Sequence, residues 1–70
     1  MKKITVYNLD NSSEMIFCDM SKTRALINAY LIENNRTIDI HDNNVFLALQ
    51  SQIRLGANYM MLGSFNVRYQ

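Results

Sequence analysis

Almost every segment of this 70-residue chain has the pattern of a strand, a turn or a helix. This close spacing limits what the chain can fold into. A chain of this length forms one domain, which we place at residues 1–70. A single core of this size supplies only about 3–5 kcal/mol of net stability. Nearly all the apolar residues are therefore needed for the core, and little sequence is left for a deep catalytic pocket.

The chain has one cysteine, Cys18, and one histidine, His41. An internal disulfide is therefore impossible, and a lone cysteine is typical of a reducing compartment such as the cytoplasm. A structural zinc site needs four ligands from cysteine, histidine or carboxylate groups. We expect no metal site, no cofactor and no catalytic residues.

The charge balance argues against a protein that binds nucleic acid or lipid nonspecifically, and the short apolar runs argue against a membrane-spanning or secreted protein. Seven basic residues nearly balance six acidic ones, which argues against strong nonspecific attraction to nucleic acid or anionic lipid. A local basic patch of Lys2, Lys3, Lys22 and Arg24 stays open as an alternative to a solvated surface. No apolar run approaches the about 20 residues of a membrane span, and no apolar segment follows the N-terminal lysines as a secretory signal would require.

Alternating residues predict a strand pair at each end of the chain. At the start, strands over Lys3–Leu9 and Glu14–Cys18 flank the turn formers of residues 10–13. We expect these two strands to pair as an antiparallel hairpin. At the end, strands over Tyr59–Leu62 and Phe65–Tyr69 flank Gly63 and Ser64.

Two helices are predicted between these hairpins. Ser21 is a suitable N-cap for a helix over residues 22–33, which Asn34 and Asn35 end. Ser21, Arg24 and Asn28 recur at helical spacing and indicate a polar face. A second helix is predicted roughly over residues 44–55, with a cap at Asp42 or Asn43 and with Gly56 as its C′ residue.

The predicted element order is β-β-α-(β)-α-β-β, where the bracketed element is a short strand over residues 36–40. Strand pairs separated by helices, without regular βαβ alternation, are typical of the α+β class. We expect a small antiparallel sheet, with a hairpin from each end of the chain, packed against two helices.

Two polar sets invite a catalytic or metal-binding interpretation. Cys18 and His41, with Asp39 or Asp42, form a nucleophile–base–acid set on paper. Cys18 lies within an apolar strand pattern, however, and we expect it to be a small core residue. Asp39, His41 and Asp42 are too few ligands for a strong cation site, and we expect a polar loop in which Asp42 caps the next helix.

The tyrosines are the stronger functional signal, because tyrosine is enriched at interaction hot spots. Tyr7 is predicted on the strand face opposite Ile4 and Val6, and Tyr69 lies near the C-terminus. The alternative is that the tyrosines only border a small core. The residues that we expect to contact a partner are Tyr7, Arg24, Asn28, Tyr30 and Tyr69.

Three segments resemble small accessory proteins of bacteriophages and prophages: Ile4–Asn8, Ala25–Tyr30 and Gly63–Phe65. The resemblance covers both ends and the first helix, and residues 34–55 do not align. These segments are structural and transfer no site residue. Small phage proteins of this kind include inhibitors of host defence, anti-CRISPR proteins among them. The resemblance implies a protein that binds a host protein and blocks its surface.

Three functions remain open from the sequence. The first is a non-enzymatic phage or mobile-element protein that blocks a host protein or nucleoprotein complex, such as a CRISPR–Cas complex, in the bacterial cytoplasm. The second is a small dimeric nucleic-acid-binding or regulatory domain, which requires the basic residues to converge on one face. The third is a minimal enzyme that uses Cys18 and His41. A homodimer is compatible with all three, because two exposed edge strands favour pairing between copies.

Overall fold

The computed structural model describes residues 2–33 and 43–69 of the chain. Over these residues it contains five strands and two helices, and all strand pairs are antiparallel. The predicted α+β class is confirmed. In chain order the elements are β1 (Lys3–Asn8), β2 (Glu14–Cys18), α1 (Lys22–Glu33), α2 (Asn43–Gln50), β3 (Arg54–Leu55), β4 (Tyr59–Leu62) and β5 (Phe65–Arg68).

The five strands form one sheet in the order β2-β1-β5-β4-β3. The first and last strands of the chain therefore lie side by side at the centre of the sheet, and β2 and β3 form its edges. The N-terminal hairpin and the C-terminal strands meet along this β1–β5 seam, on which the candidate site depends.

The N-terminal hairpin has the predicted strands and the predicted antiparallel pairing. Tyr7 lies opposite Glu14, and the Asn8 N–H donates to the Ser13 carbonyl at 2.9 Å to close the turn. The Asn8 Oδ1 atom accepts the backbone N–H of Asp10 at 2.9 Å. This side-chain bond is the reason why asparagine favours such turns.

Helix α1 begins where the cap predicts. The backbone N–H of Arg24 donates to Ser21 Oγ at 3.1 Å, which satisfies one of the orphan donors of the first turn. The helix packs on β1, β4 and β5. The apolar core comprises Ile4, Val6, Ala25, Leu26, Ile27, Ala29, Leu31, Leu49, Met60, Leu62, Phe65 and Val67.

The predicted polar face of α1 is wrong at Asn28. This side chain is only 8% exposed, and its Nδ2 donates to Met20 Sδ at 3.6 Å. Its Oδ1 atom is buried and makes no hydrogen bond in the structure. The reason is that α1 lies between the sheet and α2, so most of its circumference is covered. A helical spacing of polar residues does not mark a solvated face on such a helix.

The second helix is shorter than predicted. It ends at Gln50, where the prediction extends it to Leu55. Two tighter bonds follow, from the Gln52 N–H to the Leu49 carbonyl and from the Ile53 N–H to the Gln50 carbonyl. These three-residue bonds are typical of a helix end. They direct the chain into β3, which pairs with β4 at the edge of the sheet.

Gly56 is therefore not the C′ residue of a helix. It lies in the β3–β4 turn, where its N–H donates to the Tyr59 carbonyl at 2.9 Å. The Tyr59 ring covers the position that a side chain would occupy. A Cβ on Gly56 would lie 2.0 Å from Cε2 of Tyr59. Close approach of a ring, and not helix termination, explains glycine here.

The β4–β5 hairpin is confirmed around Gly63 and Ser64. Gly63 has a φ of 59°, in the left-handed region that glycine adopts without a Cβ penalty. The Phe65 ring meets the Tyr30 ring edge to face, with centroids 6.3 Å apart. This aromatic contact attaches the hairpin to α1.

Several predictions lie outside the described residues. They are the helix end at Asn34 and Asn35, the strand over residues 36–40, and the polar set Asp39, His41 and Asp42.

A membrane-spanning helix needs about 20 residues. Helix α1 has 12 residues and α2 has 8. Neither helix in the described part of the chain is long and apolar enough to cross a bilayer.

Candidate ligand-binding cavity

The β1–β5 seam is paired at one end only. Tyr7 lies opposite Asn66 and Asn8 lies opposite Phe65, and the register extends no further over the described residues. Continuing the antiparallel register would place Thr5 opposite Arg68. The ladder ends before that pair, and we call the unpaired stretch between β1 and β5 the split in the sheet.

The split forms a cavity of about 520 Å³. This volume lies within the range of about 300–1,000 Å³ that is typical of small-ligand pockets. Its walls come from β1, from β5 and the residue after it, from the first residue of α1 and from the N-terminal segment. The lining residues are Lys2, Lys3, Ile4, Thr5, Tyr7, Lys22, Val67, Arg68 and Tyr69.

Four of the lining residues are cationic: Lys2, Lys3, Lys22 and Arg68. No carboxylate lines the cavity, and no salt bridge joins any of the four to a carboxylate within residues 2–33 and 43–69. Four like charges around one recess repel each other. They give the cavity a positive potential that attracts an anionic ligand.

Two acidic residues lie near the cavity without lining it. Asp19 accepts the backbone N–H of Lys2 at 3.3 Å and donates its own N–H to the Lys2 carbonyl at 2.8 Å. These bonds hold the N-terminal segment against the end of β2. Glu14 lies opposite Tyr7 across the first hairpin. The negative charges are therefore displaced to the β2 side of the recess.

Two tyrosines lie within reach of these cations. The Lys22 Nζ atom is 5.9 Å from the centroid of the Tyr69 ring. The Arg68 Cζ atom is 5.9 Å from the centroid of the Tyr7 ring. Both distances are within the about 6 Å over which a cation is attracted to a ring face. Each ring is thus paired with a cation at the cavity wall.

The structure divides the five residues predicted to contact a partner. Tyr7 and Tyr69 both line the cavity. Tyr30 lies elsewhere, half-buried against Phe65. Arg24 lies over the Phe46 ring, with its Cζ atom 4.3 Å from the centroid. The fifth residue, Asn28, is buried beside Met20 and does not line the cavity.

The basic patch predicted from the sequence is brought together in part. Lys2, Lys3 and Lys22 line the same cavity, whereas Arg24 does not. Arg68 was not among the predicted residues. No local sequence pattern identifies Arg68, because only the pairing of β1 with β5 brings it close to the N-terminal lysines.

Cys18 is not a core residue, which corrects the sequence-based expectation. It is the last residue of β2 and it is exposed. The reason is alternation along the strand: Met15 and Phe17 pack against the core, so Ile16 and Cys18 face solvent. His41 lies outside the described residues, so the proposed pair stays a prediction.

No cluster of three or more metal-ligating side chains occurs in the part of the chain that the structure describes. No protein-family model, curated protein or solved structure matches this chain. The chemistry of the cavity therefore follows from its own lining. Ammonium and guanidinium groups donate hydrogen bonds to anions, and the two phenol rings offer flat apolar faces.

Proposed function

We propose that the protein is a non-enzymatic binding protein, which occupies a surface of a host protein or nucleoprotein complex and blocks it sterically. The resemblance of its two ends and first helix to small phage proteins supports an origin in a phage or mobile element. A bacterial defence complex such as CRISPR–Cas is the proposed target class. The proposed compartment is the cytoplasm of the bacterial host.

The observation that carries this proposal is the pairing of Tyr7 with Arg68 and of Tyr69 with Lys22 around one recess. Tyrosine and arginine dominate the binding energy of many interfaces, because each combines a large contact area with polar groups. A recess that holds both types is therefore a suitable anchor for a partner.

The charged groups that line the cavity can all donate hydrogen bonds to an anionic partner. They are the ammonium groups of Lys2, Lys3 and Lys22 and the guanidinium group of Arg68. Cys18 lies opposite Lys3 in the first hairpin and is not part of the cavity wall.

The test is affinity capture of the tagged protein from a bacterial lysate, with and without nuclease, followed by mass spectrometry. We expect one stoichiometric host complex that survives nuclease treatment. Arg68→Gln should release this complex, whereas Arg54→Gln, which removes the same charge from the exposed edge strand β3, should retain it. Capture of no partner under either condition would contradict the proposal.

The convergence of Lys2, Lys3, Lys22 and Arg68 favours a second candidate, a small dimeric nucleic-acid-binding or regulatory domain. Cationic side chains gathered on one surface are the footprint of such domains. The two edge strands supply the means to dimerise, since Ile16 of β2 is 61% exposed. A mobility-shift titration with no salt-sensitive binding, or a strictly monomeric mass in light scattering, would contradict this candidate.

A further inference from the structure

We propose that the cavity between β1 and β5 binds a nucleotide unit of single-stranded nucleic acid, with the phosphate held by the cations and the base against the tyrosine rings. This inference rests on the proposed binding function. It deepens that function, because it names the chemical group which a nucleoprotein target would present to the cavity.

The phosphate could accept a hydrogen bond from a backbone N–H as well as from charged side chains. The Tyr69 N–H donates to the Asn58 carbonyl, so alternation along β5 turns the Arg68 N–H the other way, toward β1. The β1–β5 register ends before Arg68, and Arg68 lines the cavity. Backbone donors of this kind contact phosphates in many nucleic-acid complexes.

The charges specify an anion with several acceptor atoms. Lys2, Lys3, Lys22 and Arg68 approach the cavity from the N-terminal segment, β1, α1 and β5. Because these cations lie on different elements, they can contact a bound anion from several sides. A phosphodiester offers two free oxygens, and Arg68 offers a planar group that binds two acceptors at once.

The two tyrosine rings indicate which chemical group of the ligand lies next to the anion. Tyr7 and Tyr69 line the same cavity as the four cations. Proteins that bind single strands combine a positive groove with aromatic rings on which bases stack. An inorganic anion or an acidic peptide would satisfy the cations but would not stack on either ring.

The geometry favours an unpaired strand over a duplex. In a duplex the bases stack on each other, so no base face is free to contact a tyrosine. The cavity volume of about 520 Å³ suits a single nucleotide and is too small to admit a double helix. The two possible sources of the ligand are a free nucleotide and a single-stranded segment.

The test is a fluorescence-anisotropy titration with a labelled single-stranded oligonucleotide at low salt. AMP, inorganic phosphate, the matching duplex and a polyglutamate peptide serve as competitors. We expect the single strand to bind, with an affinity that falls as salt rises. If AMP displaces the labelled strand as well as the same concentration of unlabelled oligonucleotide does, the ligand is a free nucleotide. If AMP competes much more weakly than the oligonucleotide, the ligand is a single-stranded segment.

Matched variants connect the binding to the cavity. Arg68→Gln and Lys22→Gln should each weaken binding about tenfold and lower the salt slope by about 0.7. Arg54→Gln, on the opposite edge of the sheet, should change the affinity less than about twofold. Tyr69→Leu should weaken binding about tenfold, whereas Tyr69→Phe keeps the ring and should retain it. Circular dichroism confirms that each variant is folded.

Three results would overturn the inference. They are no binding at low salt, equal losses in Arg54→Gln and Arg68→Gln, or displacement of the strand by polyglutamate as effectively as by unlabelled oligonucleotide. If the lysate experiment captures a nuclease-resistant partner while the oligonucleotide does not bind, the inference fails and the proposed function stands. If the oligonucleotide binds and no host complex is captured, the inference stands and the blocking function fails.

Discussion

Tyr7 lies opposite Asn66 in the last residue pair of the β1–β5 ladder, and the cavity opens directly beyond this pair. Asn66 is only 7% exposed, and its Oδ1 atom makes no hydrogen bond in the structure. The pair therefore forms the closed end of the split in the sheet. On one side of it the strands share backbone hydrogen bonds, and on the other side they face a positively charged recess.

Stability should depend strongly on the apolar contact between α1 and the sheet. Leu26 is fully buried, so Leu26→Ala should lower the free energy of unfolding by about 3 kcal/mol. A core of this size supplies only about 3–5 kcal/mol, and the variant should be close to unfolded. Ile16→Ala is the matched control, because Ile16 faces solvent. Urea denaturation followed by circular dichroism measures the free energy of unfolding of both variants. Equal losses in Leu26→Ala and Ile16→Ala would contradict the burial of Leu26 in the core.

The Tyr59 ring should make Gly56 intolerant of a side chain. Gly56→Ala would place a Cβ 2.0 Å from Cε2 and 2.3 Å from Cζ of Tyr59. Displacement of this half-buried ring should cost about 1 kcal/mol, the lower end of the range for an added group in a packed site. Adding Tyr59→Ala removes the obstacle, so the double variant should be more stable than the two single losses predict. Additive losses in urea denaturation would contradict the contact.

The cap of α1 should contribute measurably to stability. Ser21→Ala removes the oxygen that accepts the Arg24 N–H and should cost about 1 kcal/mol. Ser51→Ala is the matched control. The Ser51 hydroxyl donates to the Ala48 carbonyl at 2.7 Å in an exposed position, where water replaces it, and its loss should be within about 0.5 kcal/mol. If thermal unfolding shows the same loss of stability for both variants, the Ser21 cap does not stabilise α1 as proposed.

The Cys18 thiol should react in the folded protein. Since Cys18 is exposed at the end of β2, a thiol reagent should modify one group per chain without denaturant. The rate should be close to that of the unfolded chain, because no packing shields the sulfur. If the thiol reacts only after denaturation, Cys18 is buried in the core, as the sequence predicts.

Local patterns predict the elements of this fold better than they predict its central seam. The strand alternation of Ile4 and Val6 identifies a buried face, and the Ser21 cap places the start of α1. Helical spacing alone extends α2 too far, because Ile53 reaches the core from the turn that follows the helix. A spacing pattern does not distinguish these two routes to the same position.

The cavity could not be predicted from local patterns. It depends on where the pairing between the first and last strands stops, and this is a contact between distant parts of the chain. The sequence does show lysines at the N-terminus, a tyrosine in the first strand and another directly after the last strand. Only the register brings Lys3 and Arg68 to one recess. Asn66 is buried in β5, which pairs with the distant strand β1 on one side.

Binding in the β1–β5 cavity can be tested by mapping amide chemical shifts by NMR as a single-stranded oligonucleotide is added to the protein. We expect the amides of Thr5, Arg68 and Tyr69 to shift together and to saturate with one affinity. Arg54 and Leu55, on the far edge strand, should stay unchanged. Shifts confined to that edge or to α2, or no shifts at all, would contradict the assignment of the β1–β5 cavity as the binding site.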